Sequence, residues 1–142
     1  MKIRKAKESD KKIILKLLNQ NSGNTADDKL HYKEKHADEY IRGKAFRTFV
    51  AEIDGKVIGI IMANVFPIAE YAEVYNLAVD EGNRRKGIGI KLMDFVEKKL
   101  KKSGIEFVYG YINEDNISSQ KLMEKLGYNR GKKLLFYSKI LK

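Results

Sequence analysis

Residues 74–93 read Val-Tyr-Asn-Leu-Ala-Val-Asp-Glu-Gly-Asn-Arg-Arg-Lys-Gly-Ile-Gly-Ile-Lys-Leu-Met. This stretch predicts an apolar strand, a basic turn with glycines, and an amphipathic helix that begins directly after the turn. The first N–H groups of a helix have no intrahelical acceptor, and the helix dipole places partial positive charge at the same end. Gly87 and Gly89 would let a phosphate approach the backbone, and the cations at residues 84–86 add full charges. The order of these features predicts a pyrophosphate site.

Two other phosphate-binding motifs do not fit this turn. A P-loop requires Lys followed by Ser or Thr directly after its second glycine, whereas Ile88 and Gly89 follow Gly87 here. A dinucleotide-binding fingerprint requires a third glycine where Leu92 stands, and its first glycine follows the strand without a long basic loop. The alternative to a phosphate site is a purely structural turn, in which the glycines only permit a sharp change of direction.

Two motifs carry a resemblance to a known family. Residues 84–89, Arg-Arg-Lys-Gly-Ile-Gly, match the Q/R-x-x-G-x-G/A signature of the GNAT superfamily of acetyl-CoA-dependent N-acetyltransferases. Residues 116–128, Asn-Ile-Ser-Ser-Gln-Lys-Leu-Met-Glu-Lys-Leu-Gly-Tyr, resemble the N-x-x-A/S-x-x-L-Y-x-K-x-G-F/Y helix and exit turn of the same superfamily. The resemblance implies the GNAT fold, which is α/β (α+β): a mixed central β-sheet flanked by helices, with central parallel strands that splay apart.

The resemblance also implies a site for acetyl-CoA (coenzyme A). In this superfamily the pantetheine arm lies between two splayed strands, predicted here at residues 73–79 and 106–112, and the glycine turn holds the pyrophosphate. An asparagine at the position of Asn116 hydrogen-bonds the cofactor arm, and small residues at the helix start leave room for it. The implied cofactor-binding residues are Leu77, Ala78, Val79, Arg84, Arg85, Lys86, Gly87, Ile88, Gly89, Ile90, Asn116 and Ser119.

Some of these residues also have a structural interpretation. Asparagine is among the best helix N-caps, so Asn116 fits a cap as well as a cofactor contact. Leu77 and Val79 fit core packing, which does not conflict with a role for their backbone groups. Ser118 and Ser119 have no histidine nearby in the sequence, so neither is predicted to be a nucleophile.

Acetyl transfer to an amine requires a group that removes a proton. An alkyl amine has a pKa of roughly 10.4 and arrives mostly protonated. Glu73 resembles the strand glutamate that serves as base in protein-acetylating members of the superfamily, and Glu70 is the second candidate. The alternative for Glu73 is an exposed residue at the margin of the sheet.

The sequence departs from the family pattern at Met123. Many members have a tyrosine there, thought to protonate the departing coenzyme A thiolate. A thiol has a pKa of about 8.5, so the leaving group is tolerable as an anion. Tyr128 is the predicted replacement acid, and Tyr109, Tyr111 and Tyr137 are alternatives. The departure leaves open an enzyme with another acid, a slow enzyme, or a coenzyme A binder without catalysis.

Composition predicts a single domain, residues 1–142, with a real core, because 43% of the residues are hydrophobic and 34% are charged. The chain has no cysteine, which excludes disulfides, thiolate metal sites and an enzyme-bound thioester. His31 and His36 have no acidic residues at ligand spacing, so no metal is predicted. No apolar run is long enough to cross a bilayer, which predicts a cytoplasmic protein with no membrane partner.

The net charge of +10 raises the alternative of a nucleic-acid-binding module. The lysines, however, are spread along the chain among acidic residues, which indicates solvated faces, and an anionic cofactor accounts for part of the excess near residues 84–91. The sequence favours an N-acetyltransferase, monomer or homodimer, that acetylates a primary amine of a small molecule, peptide or protein. A non-catalytic acyl-CoA-binding sensor is the first alternative.

Periodicity and turn residues predict the order of the remaining elements. The acceptor pocket is expected from residues 19–47 and 66–72. The predicted elements are a strand at 2–6, a helix capped by Ser9 or Asp10, a weakly patterned helix within 27–42, a hairpin of strands 48–53 and 56–65 around Asp54-Gly55, a helix closed by Ser103-Gly104, a helix ending at 126–127, and a last strand at 134–141 in which Phe136, Tyr137 and Ile140 pack.

Overall fold

The computed structural model describes residues 1–20 and 32–141. In this part of the chain, five strands form one mixed sheet with helices on both faces. The strands are β1 (Lys2–Lys5), β2 (Phe46–Ile53), β3 (Lys56–Phe66), β4 (Tyr71–Val79) and β5 (Phe107–Tyr109). The helices are α1 (Lys11–Gln20), α2 (Glu34–Arg42), α3 (Ile88–Lys102) and α4 (Ile117–Lys125). The mixed sheet between helices confirms the predicted fold class.

The sheet follows chain order, β1-β2-β3-β4-β5, with antiparallel pairs up to β4 and a parallel pair between β4 and β5. The β2–β3 hairpin turns at Asp54 and Gly55, whose φ angles are 49° and 76°. Positive φ at both central residues is what a two-residue type I′ turn requires, and the prediction from Asp-Gly is confirmed. The chain crosses from β4 to β5 through α3, as the βαβ rule predicts.

The core lies on both faces of the sheet. On one face α3 buries Leu92, Met93 and Val96 against the strands, while on the other α1 buries Leu17 and Leu18. These side chains recur at helical spacing in the sequence, so each helix presents one apolar stripe to the sheet. The two cores hold β4 between them and fix the position of the glycine turn at its end.

Asp10 connects β1 to the start of α1. Its carboxylate accepts hydrogen bonds from the Lys7 backbone N–H at 2.7 Å and from Arg4 Nη1 at 2.7 Å. Arg4 also pairs with Glu52 of β2, at 2.7 Å. The Arg4 guanidinium holds the pKa of the buried Asp10 carboxyl below its usual range. α1 begins directly after Asp10, as predicted, but the carboxylate binds Arg4 and the Lys7 N–H, which precede the helix, so Asp10 joins an ion-pair network instead of forming the predicted cap.

The predicted last strand is wrong for the single chain. Residues 134–141 form no strand in the structure, and Phe136, Tyr137 and Ile140, expected to pack, are 61%, 84% and 60% exposed. The residue types favour a strand, but a strand exists only where a neighbouring backbone forms a regular ladder with it, and the described residues contain no such ladder for this segment.

Other predicted elements are found with altered bounds. The helix expected within residues 27–42 is present as Glu34–Arg42, while residues 21–31, including His31, lie outside the described residues. The strand expected at 106–112 is Phe107–Tyr109. None of the helices in the described ranges has the length and apolar character needed to span a membrane.

Candidate active site

The parallel pair of strands opens after three residue pairs. β4 and β5 pair at Tyr71–Phe107, Ala72–Val108 and Glu73–Tyr109, and the ladder ends there. At the same point β4 contains a bulge: Met62 and Ala63 of β3 face Asn76 and Val74, and Tyr75 has no partner on β3. A bulge bends its strand and increases its twist, which accounts for the divergence of β4 from β5. Residues 74–79 therefore present a backbone edge without a strand partner on the β5 side in the described chain.

The glycine turn joins the far end of this edge to the start of α3. Arg85 and Gly87 have φ angles of 62° and 75°, and α3 begins at Ile88. The helical hydrogen bond from Lys91 N–H reaches the Gly87 carbonyl at 3.2 Å, so the N–H groups of residues 88–90 precede the regular ladder. A Cβ built on Gly87 would meet nothing within 4 Å. The turn thus has the open space and the donors that a pyrophosphate needs.

Two cationic side chains of the turn bind the turn itself. Arg84 Nε donates to the Val79 carbonyl at 3.0 Å, and Lys86 Nζ donates to the Gly82 carbonyl at 3.2 Å. These bonds fix the turn relative to the end of β4 and keep positive charge beside it. Because Arg84 already occupies the Val79 carbonyl, a ligand at that position would share this acceptor with it.

The remaining turn residues pack the start of α3 on its neighbours. A Cβ on Gly89 would lie 3.5 Å from Leu122 of α4 and 3.7 Å from Leu77 of β4. Ile88 is 5% exposed and Ala78 is 2% exposed. Gly89 therefore allows close packing of α3, α4 and β4, while the half-buried Ile90 contributes its backbone N–H to the first turn.

Asn116 caps α4. Its side-chain oxygen accepts a hydrogen bond from the Ser119 backbone N–H at 3.2 Å, which confirms the cap interpretation. The cap uses only the amide oxygen, so the amide nitrogen can still donate to a ligand. Met123 of the same helix is partly buried against the core on the α3 face. The position where the sequence departs from the family pattern is thus occupied by a packing side chain.

Glu73 lies at the last paired position before the strands diverge. Ala72 and Val74 pack on the α3 face, so strand alternation places the Glu73 side chain on the opposite face, towards α1 and α2. Burial raises the pKa of the Glu73 carboxyl above its ordinary value. Burial and, less strongly, the Glu73 charge raise the pKa of Tyr109. A half-buried carboxyl with a raised pKa beside an opening in the sheet suits general-base chemistry.

Glu70, the second candidate base, is an exposed residue of the turn before β4. Its φ angle is 57°, and its carbonyl accepts hydrogen bonds from the N–H groups of Glu106 at 2.8 Å and Phe107 at 3.3 Å. These bonds join β4 to the start of β5. The backbone of Glu70 is therefore structural, and its carboxylate lies three residues before Glu73 in the chain.

The tyrosines considered as acids lie in different surroundings. The Tyr128 hydroxyl donates to Glu97 Oε1 of α3 at 2.7 Å. Burial is the larger cause that raises the pKa of Tyr128, and this hydrogen bond is the second. Glu97 lies nine residues beyond Ile88, about 13 Å along the helix. This placement favours a structural role for Tyr128, and its role as acid stays a prediction. Tyr109 is beside Glu73, whereas Tyr111 and Tyr137 are 69% and 84% exposed.

An aromatic cluster that the sequence analysis missed lies on the Glu73 face. Its ring centroids are 4.9 Å apart for Tyr40 and Phe46, 6.1 Å for Tyr40 and Tyr75, and 5.8 Å for Phe46 and Tyr75. Asn76 Nδ2 donates to the hydroxyl of Tyr32 at 2.8 Å, which joins the bulge to the segment before α2. The only signal in the sequence was the number of aromatic residues in the segment expected to form the acceptor pocket.

Comparison with known proteins agrees with this geometry. The profile of the acetyltransferase (GNAT) family matches residues 12–128, which include β4, the glycine turn, β5 and α4. The chain therefore belongs to the GNAT acetyltransferase family, and the resemblance read from the two motifs is confirmed.

Individual relatives are distant. The N-alpha-acetyltransferase of Sulfurisphaera tokodaii is 32% identical over 110 residues, covering 70% of this chain and 66% of the relative. The ribosomal protein bS18-alanine N-acetyltransferase of Escherichia coli strain K12 is 26% identical over 88 residues, covering 62% of this chain and 58% of the relative. The chain thus spans somewhat more than half the length of the bacterial relative. The solved structure of aminoglycoside N-acetyltransferase AAC(6')-Iy with CoA has a similar fold, with a TM-score of 0.81 at 18% identity, covering 99% of this chain and 100% of that one.

Proposed function

We propose that residues 1–142 form one N-acetyltransferase domain that moves the acetyl group of acetyl-CoA directly to a primary amine. The observation that carries the proposal is the opening of the β4–β5 ladder directly after Glu73, with the glycine turn at the other end of the unpaired β4 edge. An open strand edge offers amide partners to an extended pantetheine arm, and the turn offers N–H donors to its pyrophosphate. Family membership makes this ligand the expected one.

The residues divide into three groups by role. The backbone of Leu77, Ala78 and Val79 would hold the pantetheine amides, and the N–H groups of residues 88–90 with Arg85 would hold the pyrophosphate. Asn116 would donate its amide nitrogen to the cofactor arm, and Ser119 leaves space beside it. Acetyl-CoA supplies an acetyl thioester, which is reactive enough for transfer without an enzyme-bound acyl group.

Glu73 is the proposed base. The acceptor nitrogen forms a bond to the acetyl carbon, and the bond between that carbon and the coenzyme A sulfur breaks. The proton from nitrogen passes to the Glu73 carboxylate, directly or through water, and the sulfur leaves with the bonding electron pair. Solvent, or an acid such as Tyr128, then protonates the thiolate. Burial raises the pKa of Glu73, which brings its basicity closer to that of the amine it must deprotonate.

The acceptor is proposed to bind against the cluster of Tyr40, Phe46 and Tyr75, on the Glu73 face of the sheet. Aromatic rings favour an amine cation through their π faces and a substrate with apolar groups beside the amine. One relative is named an N-alpha-acetyltransferase, and another an alanine N-acetyltransferase of a ribosomal protein. Among candidate acceptors we therefore rank peptide amino termini first and small-molecule amines second. A cytoplasmic location is also part of the proposal.

A thiol-release assay tests the function. The chain has no cysteine, so a thiol reagent reports only coenzyme A, without background from the protein. Purified protein is incubated with acetyl-CoA and, in separate reactions, with peptides of varied amino-terminal residue, aminoglycosides and polyamines. We expect thiol release that depends on one class of acceptor. The mass of that acceptor should rise by about 42 Da, because an acetyl group replaces a hydrogen atom.

The alternatives give different results. Saturable acetyl-CoA binding without acetylation of any acceptor would favour the acyl-CoA sensor. Absence of acetyl-CoA binding, together with salt-dependent binding of DNA or RNA, would favour the nucleic-acid module. Heat-denatured protein controls for spontaneous thioester hydrolysis.

A further inference from the structure

A cavity lies where β1 and α2 end and β2 begins. Its volume is about 410 Å³, within the range of about 300–1,000 Å³ that is typical of ligand sites. Four of the residues that line it are cationic, namely Lys5, Arg42, Lys44 and Arg47. Among the described residues, no acidic side chain lines this cavity. The cavity is therefore surrounded mainly by positive charge.

Two carboxylates lie beside the cavity. Glu8 Oε2 accepts a hydrogen bond from Arg42 Nε at 2.9 Å. A Cβ on Gly43 would overlap the Glu39 carboxylate, so glycine at this position lets Glu39 fold against the cavity wall. Because four cations face two carboxylates, the cavity keeps an excess of positive charge.

The other three cations have no carboxylate partner in the part of the chain that the structure describes. Lys5, Lys44 and Arg47 form no ion pair there. Arg47 Nη1 donates to the carbonyls of Lys44 at 2.8 Å and Phe46 at 3.4 Å, which holds the guanidinium at the cavity. Both bonds use Nη1, so Nε and Nη2 can donate together to a carboxylate of a ligand. An excess of cations around a cavity predicts an anionic ligand.

Phe46 connects the cavity to the proposed acceptor site. Its ring lines the cavity and also belongs to the aromatic cluster with Tyr40 and Tyr75. Phe46 of β2 pairs with Asn64 of β3, which pairs with Glu73 of β4. Two strand spacings, about 10 Å, therefore separate Phe46 from Glu73. An extended peptide spans this distance in three residues of about 3.3 Å each.

We propose that this cavity binds acidic side chains of a peptide acceptor, at the fourth and fifth residues counted from the amino terminus that is acetylated. The inference rests on the proposed function and names its substrate class as peptides with an acidic segment. The Arg47 guanidinium and the two lysine ammonium groups would bind the carboxylates while the amine lies near Glu73. A cavity of this size admits one or two carboxylate side chains, whereas nucleic-acid binding uses several phosphates along an extended surface.

Two peptides that differ only in charge test the preference. They share one amino-terminal residue, and the fourth and fifth residues are Glu in one peptide and Gln in the other. We expect the KM of the Glu peptide to be at least about tenfold lower, with a similar kcat, because the charge contacts are the same before and during transfer. At about 1 M salt, where charges are screened within about 3 Å, this difference should shrink.

The outcomes separate this inference from the proposed function. Equal KM values for two acetylated peptides would overturn the acidic-peptide inference and leave acetyl transfer intact. Acetylation of amines that are not on peptides, with neither peptide acetylated, would have the same meaning. Acetylation of no acceptor at all would overturn both.

A double substitution tests the cavity itself. Lys5→Gln with Lys44→Gln removes two charges from the lining and is expected to reduce the preference for the Glu peptide to within about threefold. The preference is a ratio measured on one protein, so a general loss of activity cancels. Lys2→Gln with Lys56→Gln removes two exposed lysines at the other end of the same sheet and should retain the full preference. An unchanged preference in the Lys5 and Lys44 variant would contradict the assignment of this cavity.

Binding of a fluorescent single-stranded RNA tests the other anionic ligand. We expect the Lys5→Gln, Lys44→Gln variant to bind this RNA as the wild type does. Equal KM values for the two peptides, together with salt-dependent RNA binding that this variant loses, would assign the cavity to RNA phosphates and overturn the acidic-peptide inference.

Discussion

Glu73 of β4 and Tyr109 of β5 face each other at the last pair of the parallel ladder. One residue pair further the two strands have separated, because the bulge at Tyr75 bends β4. The same pair thus marks where the sheet stops being continuous and where a half-buried carboxyl becomes available. The burial that raises the pKa of Glu73 follows from this position at the base of the opening.

Substitution of Gly87 tests the anion site with a matched pair. Gly87→Asp and Gly87→Asn have the same shape, and both residues tolerate positive φ better than other side chains, so strain is comparable. Aspartate at this helix N-cap would be at least as stabilising as asparagine but would repel a pyrophosphate. We expect Gly87→Asp to weaken acetyl-CoA binding at least about tenfold relative to Gly87→Asn, a difference of about 1.4 kcal/mol, by calorimetry. Equal affinities would mean that the turn is only structural.

Glu73→Gln tests the base. We expect kcat to fall by about a hundred- to ten-thousand-fold, with partial recovery at high pH as more amine becomes neutral. In the wild type, activity should decline as pH falls through the raised pKa of Glu73. The pH–activity profile of the variant should not show this decline. Acetyl-CoA affinity should not change.

Two controls accompany Glu73→Gln. Because ionised Glu73 is disfavoured by burial, the neutral variant should melt at the same temperature or higher at pH 7, which separates a catalytic defect from unfolding. Glu70→Gln makes the same change on an exposed carboxylate and should retain activity. Loss of turnover only in Glu70→Gln would move the base to that residue.

Tyr128→Phe separates the structural and acid roles of this tyrosine. Loss of the hydrogen bond to Glu97 is expected to lower the free energy of unfolding, measured with urea, by about 1 kcal/mol. The value of kcat should stay within about threefold of wild type. Tyr137→Phe removes a hydroxyl from a side chain that is 84% exposed and serves as the stability control. A loss of kcat of tenfold or more in folded Tyr128→Phe would support the predicted acid instead.

Asp10→Asn tests the ion-pair network between β1 and α1. Removing the Asp10 charge leaves the positive charge of Arg4 only partly compensated. We expect the free energy of unfolding to fall by about 2 kcal/mol at pH 7. Arg4 lowers the folded-state pKa of Asp10, so this stability is present above the unfolded pKa near 4 and is lost as pH falls through the lower folded value. Urea titrations should therefore show a steeper acid-induced loss for wild type than for Asp10→Asn. Asp54→Asn, in a type I′ turn that accepts either residue, should change neither stability nor its pH dependence by more than about 0.5 kcal/mol.

The sequence by itself determined the features that depend on a few neighbouring residues. Asp54 and Gly55 specified the hairpin turn, because only certain residues tolerate positive φ. The spacing of apolar residues specified α1 and α3, and the residues around Gly87 specified the strand, the glycine turn and the helix that begins at Ile88. The cap, one of the two roles predicted for Asn116, is confirmed because its side-chain chemistry acts within one turn of helix.

Only the tertiary structure decided the features that depend on register and distant partners. Three such features join positions that are far apart in the chain or in different elements. They are the bulge at Tyr75, the hydrogen bond between Tyr128 and Glu97, and the ion pairs of Arg4 with Asp10 and Glu52. The segment 134–141 shows the limit most directly. Its residues favour a strand, but a strand also requires a neighbouring backbone with free donors and acceptors, and local sequence contains no information about where that partner lies.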